Sequence, residues 1–305
     1  MLIPPQAPER RIDWQIFNAV QDSDTTKGWT TWTKPIGCSW IYLIVQGAGG
    51  SGAGGATGVT STSRSGGGGG SSGTNIRIFT PSIWLPDVLY LRAGRGGLSP
   101  AANTGGSVGI TSYVSVHNPT TAAGDVLASS VPGNGGAIAS GGSAPAAQAS
   151  SGLSAWLNMG FVNTSAGLAG VSGGVNTNGS NISLASATAV SPATGGSGGG
   201  GCSAANANFA GGTVSGPGIP TIAGGTTVGN PGNLGYRHLA HLDASQIRTQ
   251  SFFFTGGTGG GSSAAGTGGK GGDGSYGSGG GGGGGGITGG AGGRGGDGFI
   301  IIGAW

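Results

Sequence analysis

Hydrophobic residues of this chain lie in short runs, and the stretches between the runs are dominated by glycine. The run Trp40–Val45 is rich in β-branched and aromatic residues, and Trp29–Thr33 consists of tryptophan and threonine. Both patterns predict β-strands, the first of them buried on both faces. Gly, Pro and Asp residues bound three further predicted strands, at 76–79, 88–91 and 110–116.

The C-terminal part of the chain returns to the same pattern. Ser251–Phe254 and Gly298–Trp305 are predicted strands, and the second contains the apolar run Phe299–Ile302. A short continuous apolar run is typical of a strand that is buried on both faces. We therefore expect residues 41–46 and 299–302 to lie in one sheet, or in facing sheets of one core.

Glycine pairs recur with a period of three between these strands. The heptad Gly-Gly-Lys-Gly-Gly-Asp-Gly at 268–274 returns at 292–298 with Arg in place of Lys. A polyproline-II-type helix has three residues per turn and no internal hydrogen bonds. Two of its edges would here lack any Cβ, so neighbouring helices could approach closely and pair their N–H and C=O groups laterally. Glycine-rich composition is otherwise typical of a flexible linker, but the flanking strands favour packed polyglycine-II-type segments at 268–274 and 289–298.

Composition agrees with an all-β fold. Glycine accounts for 77 of the 305 residues, and each glycine inside a helix costs about 1 kcal/mol relative to alanine. A short helix is considered only for 236–247. Disordered chains are poor in apolar residues and rich in charge, whereas this one is 35% hydrophobic and 7% charged. The sequence predicts a β-sandwich or jelly-roll-like domain with glycine-rich loops, polyglycine-II-type segments and little or no helix.

Three regions follow from these patterns. Residues 1–25 form an extended N-terminal segment, read either as a solvated tail or as an anchor that lies on a partner protein. Residues 26–116 together with 251–305 form a glycine-rich β domain. Residues 117–250 are rich in Ala, Ser, Asn and Gly, and are expected to be an insertion of loops with weak short strands such as 137–139 and 182–184.

Charge and cysteine content exclude several classes of protein. The net charge is +3 and no stretch clusters Lys and Arg, so nucleic-acid binding through a basic patch is not expected. The apolar runs are too short to span a bilayer, and no segment of signal-peptide length is expected near the start. Cys38 and Cys202 are expected to be free thiols, as in a protein assembled in the cytoplasm, with a single bridge as the alternative.

Motifs that resemble nucleotide and hydrolase sites do not fit their structural context. Gly47–Gly52 matches the pattern G-x-G-x-x-G, but the glycine-rich sequence after it cannot sustain the required helix, and no acidic residue follows before Asp87. Two G-x-S-x-G matches, centred on Ser107 and Ser197, are expected by chance at this glycine content.

The one compact group of potential metal ligands is His238, His241 and Asp243. It is read as an exposed polar loop above Leu239 and Leu242, because a zinc site usually has a more complete ligand set. Acidic residues are too few and too scattered for a pair of catalytic carboxylates. The sequence therefore predicts no catalytic, cofactor-binding or metal-binding residue, and no enzyme.

Four blocks of sequence, in this order, resemble the glycine-rich domain of bacteriophage tail and virion proteins. They are Trp32-Thr33-Lys34-Pro35 followed by a strand that ends in Gly-Ala-Gly-Gly, then Leu89–Gly97, Gly105–Val116 and Gly292–Trp305. The segments of period three also resemble the polyglycine-II packing of some phage tail-fibre adhesins, whose loops contact the host receptor.

The resemblance implies a non-enzymatic structural component of a virion, assembled in the host cytoplasm, such as a fibre, spike or decoration protein that contacts the host surface. Expected partners are identical chains, most simply in a homotrimer, other virion proteins through residues 1–25, and a host glycan or receptor. No membrane insertion is expected. The alternative is a cell-surface polysaccharide-binding protein or depolymerase.

Overall fold

The described structure consists almost entirely of β-strands and extended glycine segments. A computed structural model describes residues 12–20, 28–117, 119, 121–122, 124–139, 161–183, 193–216, 219–238 and 253–305. Within these ranges the only helix is one 3-10 turn, Ser82–Trp84, and no helix is long and apolar enough to cross a bilayer. The predicted all-β class is confirmed. The strands are β1 Asp13–Asn18, β2 Thr30–Thr33, β3 Trp40–Gln46, β4 Asn75–Pro81, β5 Val88–Arg92, β6 Ser112–Ser115, β7 Val126–Ser130, β8 Phe161–Ser165, β9 Ile182–Ser183, β10 Val214–Gly216, β11 Ile219–Ile222, β12 Arg237–His238, β13 Phe253–Phe254, β14 Ser263–Thr267, β15 Gly286–Thr288 and β16 Phe299–Ala304.

The main sheet joins the two apolar runs that the sequence predicted to be neighbours. Its five strands are antiparallel in the order β1-β16-β3-β4-β8. The register of β16 on β3 extends from Phe299 opposite Gln46 to Ala304 opposite Ile41. The predicted pairing of 41–46 with 299–302 is thereby confirmed, and 13–18 of the N-terminal segment adds the edge strand β1.

A second antiparallel sheet, in the order β2-β5-β6-β7, packs on the main sheet to form a sandwich. Alternate residues of the apolar strands point between the two sheets because side chains alternate across a strand. The second sheet supplies Trp32, Leu89 and Leu91 to this core, and the main sheet supplies residues that include Leu43 and Ile300. On the outer face of the main sheet, a smaller cluster joins Ile44, Ala193, Phe254, Phe299 and Ile301.

Strands of both sheets continue, at one end of the sandwich, into a bundle of extended glycine-rich segments. β3 is followed by 47–56, and 289–298 leads into β16, whose Phe299 lies opposite Gln46. The segments remain neighbours after the strands end, since Gly49, Gly52 and Gly55 donate to the carbonyls of Gly296, Gly293 and Gly290 at 2.8–2.9 Å. The bundle is thus an end-on continuation of the sandwich.

The eight consecutive glycines 279–286 form the centre of this bundle. Every third N–H donates to the same neighbouring segment, so the run has three residues per turn. All eight N–H groups donate and all eight carbonyls accept. The donors contact 194–200, 50–56 and 269–272, and the acceptors contact 257–263, 58–70 and 290–293. Lateral hydrogen bonding of the glycine segments is confirmed, and six neighbours enclose the central run.

Serine and threonine hydroxyls complete the hydrogen bonding where a carbonyl does not meet an amide. Thr194 and Ser197, three residues apart on one edge, accept from the N–H groups of Gly256 and Gly259 at 2.7 and 2.9 Å. The hydroxyls of Thr255 and Thr258 likewise accept from the backbone N–H groups of Tyr236 and Asn233. A buried amide without a partner is costly, so these small hydroxyl side chains satisfy donors that glycine could not.

Because each amide of 279–286 is enclosed and hydrogen-bonded, we expect these eight amides to exchange with deuterium only on global unfolding. Exchange monitored by mass spectrometry or NMR should give them the same opening free energy as the core strands β3 and β16. In a flexible linker the amides would exchange within the dead time. Rapid exchange at 279–286 beside protected strands would contradict the enclosed bundle.

The structure also bears on three weaker predictions. The first residues of the helix considered for 236–247 are not helical, because Arg237 and His238 pair with Phe254 and Phe253 as strands. Residues 239–247 lie outside the described ranges. Ile138 makes a single bridge to Gly67. From the stretch 117–250, expected to be an insertion, β7 and β8 are edge strands of the two sheets.

Candidate functional site: the loop end of the bundle

The turns that connect the glycine segments meet at the end of the bundle away from the sandwich. We call this surface the loop end. Its turns are linked directly, since Asn206 Oδ1 accepts from the N–H of Ser61 at 2.9 Å and Gly58 donates to the carbonyl of Gly286 at 3.2 Å. The loop end comprises residues 57–64, 98–104, 138–139, 174–178, 202–208, 226–230, 263–267 and 286–289.

Isolated apolar side chains are exposed at the loop end. Val59 and Val228 are each 69% exposed, and Leu98, Val175 and Ile287 are also exposed. Each belongs to a different turn and is flanked mainly by small or polar residues. Single exposed apolar residues are common on proteins, so what distinguishes these five is that separate turns at one end of the bundle carry them.

The backbone of the loop end is constrained. All six non-glycine residues with positive φ in the described ranges lie there: Ser61, Asn103, Ala139, Asn176, Asn206 and Val228. Asparagine adopts this conformation readily, but a β-branched residue rarely does, so Val228 at φ 71° is an outlier. A strained residue of this kind costs on the order of 1–3 kcal/mol, and such residues cluster at functional sites.

Arg64 is buried under the loop end and links several of its turns by hydrogen bonds. Its side chain is 1% exposed; Nε donates to the carbonyl of Thr62 at 3.2 Å and Nη1 to that of Ala264 at 3.1 Å. The backbone of Arg64 also exchanges two hydrogen bonds with Cys202, at 3.0 and 2.7 Å. One residue therefore connects three turns of the loop end, 57–64, 202–208 and 263–267.

The nucleotide-like motif is part of the bundle. The N–H groups of Gly47, Gly49, Gly50 and Gly52 donate to carbonyls of neighbouring segments at 2.8–3.0 Å, so none is free to bind a phosphate. Ser197 is fully buried and its Oγ donates to the carbonyl of Gly212 at 2.7 Å. Neither the fingerprint nor this serine has the surroundings that its chemistry requires.

The histidine group falls mostly outside the described ranges. His238 ends β12, whereas His241 and Asp243 are not described. Among the described residues no cluster of three or more His, Cys, Asp or Glu could hold a metal ion. Cys38 and Cys202 are both free, which agrees with the predicted thiols.

Several described charged side chains outside the loop end form ion pairs or contacts with aromatic rings. Lys270 and Arg294 form ion pairs with the aspartates three residues later, at 3.0 and 2.6 Å, since a period of three places them on one edge of the segment. Arg92 lies over the rings of Trp29 and Tyr113, at 5.2 and 4.8 Å from their centroids. Burial lowers the pKa of Arg92, and the charge interaction with Tyr113 raises it in part.

Sequence reasoning did not identify the loop end as a site. The signal available was weak: single apolar residues such as Val59, Val175 and Val228, each between glycine-rich segments. Only the connectivity of the bundle brings them together. No protein-family model matches the chain, and no curated protein matches it.

Proposed function

We propose that the chain is a non-enzymatic structural component of a bacteriophage particle that presents its loop end to the host surface. The observation that carries the proposal is the bundle of laterally hydrogen-bonded glycine segments, which ends in one cluster of constrained loops. A bundle of this kind supports loops rigidly without large side chains. The resemblance to phage glycine-rich domains supports the assignment to a phage particle. The loop end is the surface that we propose to contact the host.

The arrangement of the chain suits attachment at the opposite end. β1 begins at Asp13, which lies opposite Ala304 at the end of the sandwich away from the bundle. Ile36, which is fully exposed, lies in a loop at the same end of the strands, and the 3-10 turn there carries the exposed Ile83. Contacts with other virion proteins through residues 1–25 would therefore leave the loop end free.

A homotrimer remains part of the proposal, but the hydrogen-bonding argument for it from the sequence no longer applies to the central run. The sequence argument was that glycine helices need identical chains to satisfy their backbone groups. The central run 279–286 is satisfied within one chain, so hydrogen bonding of that run does not demand partner chains. Light scattering of the purified protein measures the oligomeric state directly.

Electron microscopy of particles of the phage that encodes this chain tests the virion role. Gold-labelled antibody against the purified protein should label particles, and particles without label would contradict the proposal. For host contact, the purified protein should slow phage adsorption to sensitive cells by competition.

A matched pair of variants separates the two ends in that adsorption assay. Val59→Asp with Val175→Asp places charge on the exposed loop end and should remove the competition, because both side chains would lie in the contact. Ile36→Asp, at the opposite end, should compete like the parent. Equal competition by all three proteins would exclude the loop end as the contact surface.

A further inference from the structure

The outer face of the main sheet carries a cavity of about 360 Å³ beside the edge strand β8, lined by Tyr42, Arg77, Phe79, Val162 and Asn163. Pockets for small ligands measure roughly 300–1,000 Å³. Tyr42 lies opposite Phe79 in the β3–β4 register, and Arg77 lies opposite Asn163 in the β4–β8 register. These four side chains therefore share one face of the sheet, far along the fold from the loop end.

The aromatic walls of the cavity are held in place by neighbouring rings. Phe79 stacks on Trp40 with centroids 4.8 Å apart and an angle of 1°, and on Trp305 at 5.5 Å. Tyr42 meets the edge of Trp14 at 6.4 Å. Aromatic pairs in these geometries stabilise one another, so the apolar surface is preorganised.

The polar groups of the cavity have unused hydrogen-bonding capacity. Arg77 donates from Nε to Asn75 Oδ1 at 3.1 Å, and its two Nη atoms make no hydrogen bond or ion pair within the described residues. The Asn163 amide and the Tyr42 hydroxyl are likewise without a partner in the described ranges. Guanidinium nitrogens match a carboxylate in a planar, bidentate geometry.

We propose that this cavity binds a carboxylated pyranose, a uronic acid unit of a polysaccharide. Arg77 would hold the carboxylate, Asn163 and Tyr42 would bond to ring hydroxyls, and the C–H face of the ring would pack on the aromatic wall. The guanidinium selects an anion, and the neutral polar groups beside an apolar wall select a sugar over a small inorganic anion. This site does not depend on the virion proposal.

Titration of the full chain with tri-galacturonic acid, followed by NMR, tests the site, with a glucuronic acid disaccharide as a second stereochemistry. We expect binding of at least one acid, and at least about tenfold weaker binding of its methyl ester, because a hydrogen bond to a charged group contributes about 1.5–3 kcal/mol. Arg77→Gln should weaken binding of the acid by a similar factor. Asn163→Asp places a carboxylate at the exposed rim of the cavity and should also weaken binding of the acid, because the two carboxylates repel each other.

Lys270→Gln removes the same charge from an exposed position in the bundle and should leave affinity unchanged. Melting temperatures equal to the parent's show that the variants fold. If Arg77→Gln does not fold, the affinity of Asn163→Asp for the acid is the deciding measurement. The proposal is overturned if neither acid binds at millimolar concentration, if ester and acid bind equally, or if folded Asn163→Asp binds like the parent.

Discussion

Replacing Gly293 and Gly296 by valine is expected to abolish the native bundle. A Cβ at Gly293 would overlap the carbonyl oxygen of Gly272, and one at Gly296 would overlap that of Ser275. The atoms struck belong to hydrogen-bonded backbone, which cannot move aside as a flexible side chain can. Each substitution should therefore cost more than the about 1–3 kcal/mol typical of overpacking.

Thermal unfolding measures this effect. The double variant should melt several degrees below the parent, since the shift is about 2–4 °C per kcal/mol for a chain of 150–250 residues and smaller for a longer one, or it should fail to accumulate as soluble protein. Gly105→Val is the matched control, because the nearest atom to a Cβ there is the carbonyl oxygen of Gly136 at 3.8 Å. A double variant that melts like the control would contradict the packed bundle.

Trp32→Ala is expected to give the largest loss of stability among single substitutions in the sandwich. Trp32 is 2% exposed and is the largest buried side chain between the two sheets. Truncating a buried tryptophan removes its transfer free energy and leaves a cavity, at a cost of about 3–5 kcal/mol. Urea denaturation should show this as a lower midpoint with an unchanged slope.

The control for this substitution is Ile36→Ala, whose side chain is fully exposed and should change the free energy of unfolding by less than about 0.5 kcal/mol. Leu43→Ala, which truncates a core side chain of the facing sheet, should lower the free energy of unfolding by about 2–5 kcal/mol. If Trp32→Ala costs no more than Ile36→Ala, the two sheets do not share the core described above.

The sequence by itself determined the local structure. Apolar runs such as Trp40–Val45 and Phe299–Ile302 had to be strands buried in a core, because β-branched and aromatic residues favour extended backbone and need burial. Glycine pairs with a period of three had to form extended threefold segments, with charged residues such as Lys270 and Arg294 along one edge.

Tertiary structure alone decided which segments are neighbours. Backbone hydrogen bonds between glycine helices are alike for every segment, so nothing in the run 279–286 specifies its six partners or their directions. The placement of Val59 and Val228 at the same end of the bundle, and the pairing of Arg77 with Asn163 on the main sheet, follow from that arrangement. Local sequence sets the conformation of each segment, whereas the sites arise from contacts between residues far apart in the chain.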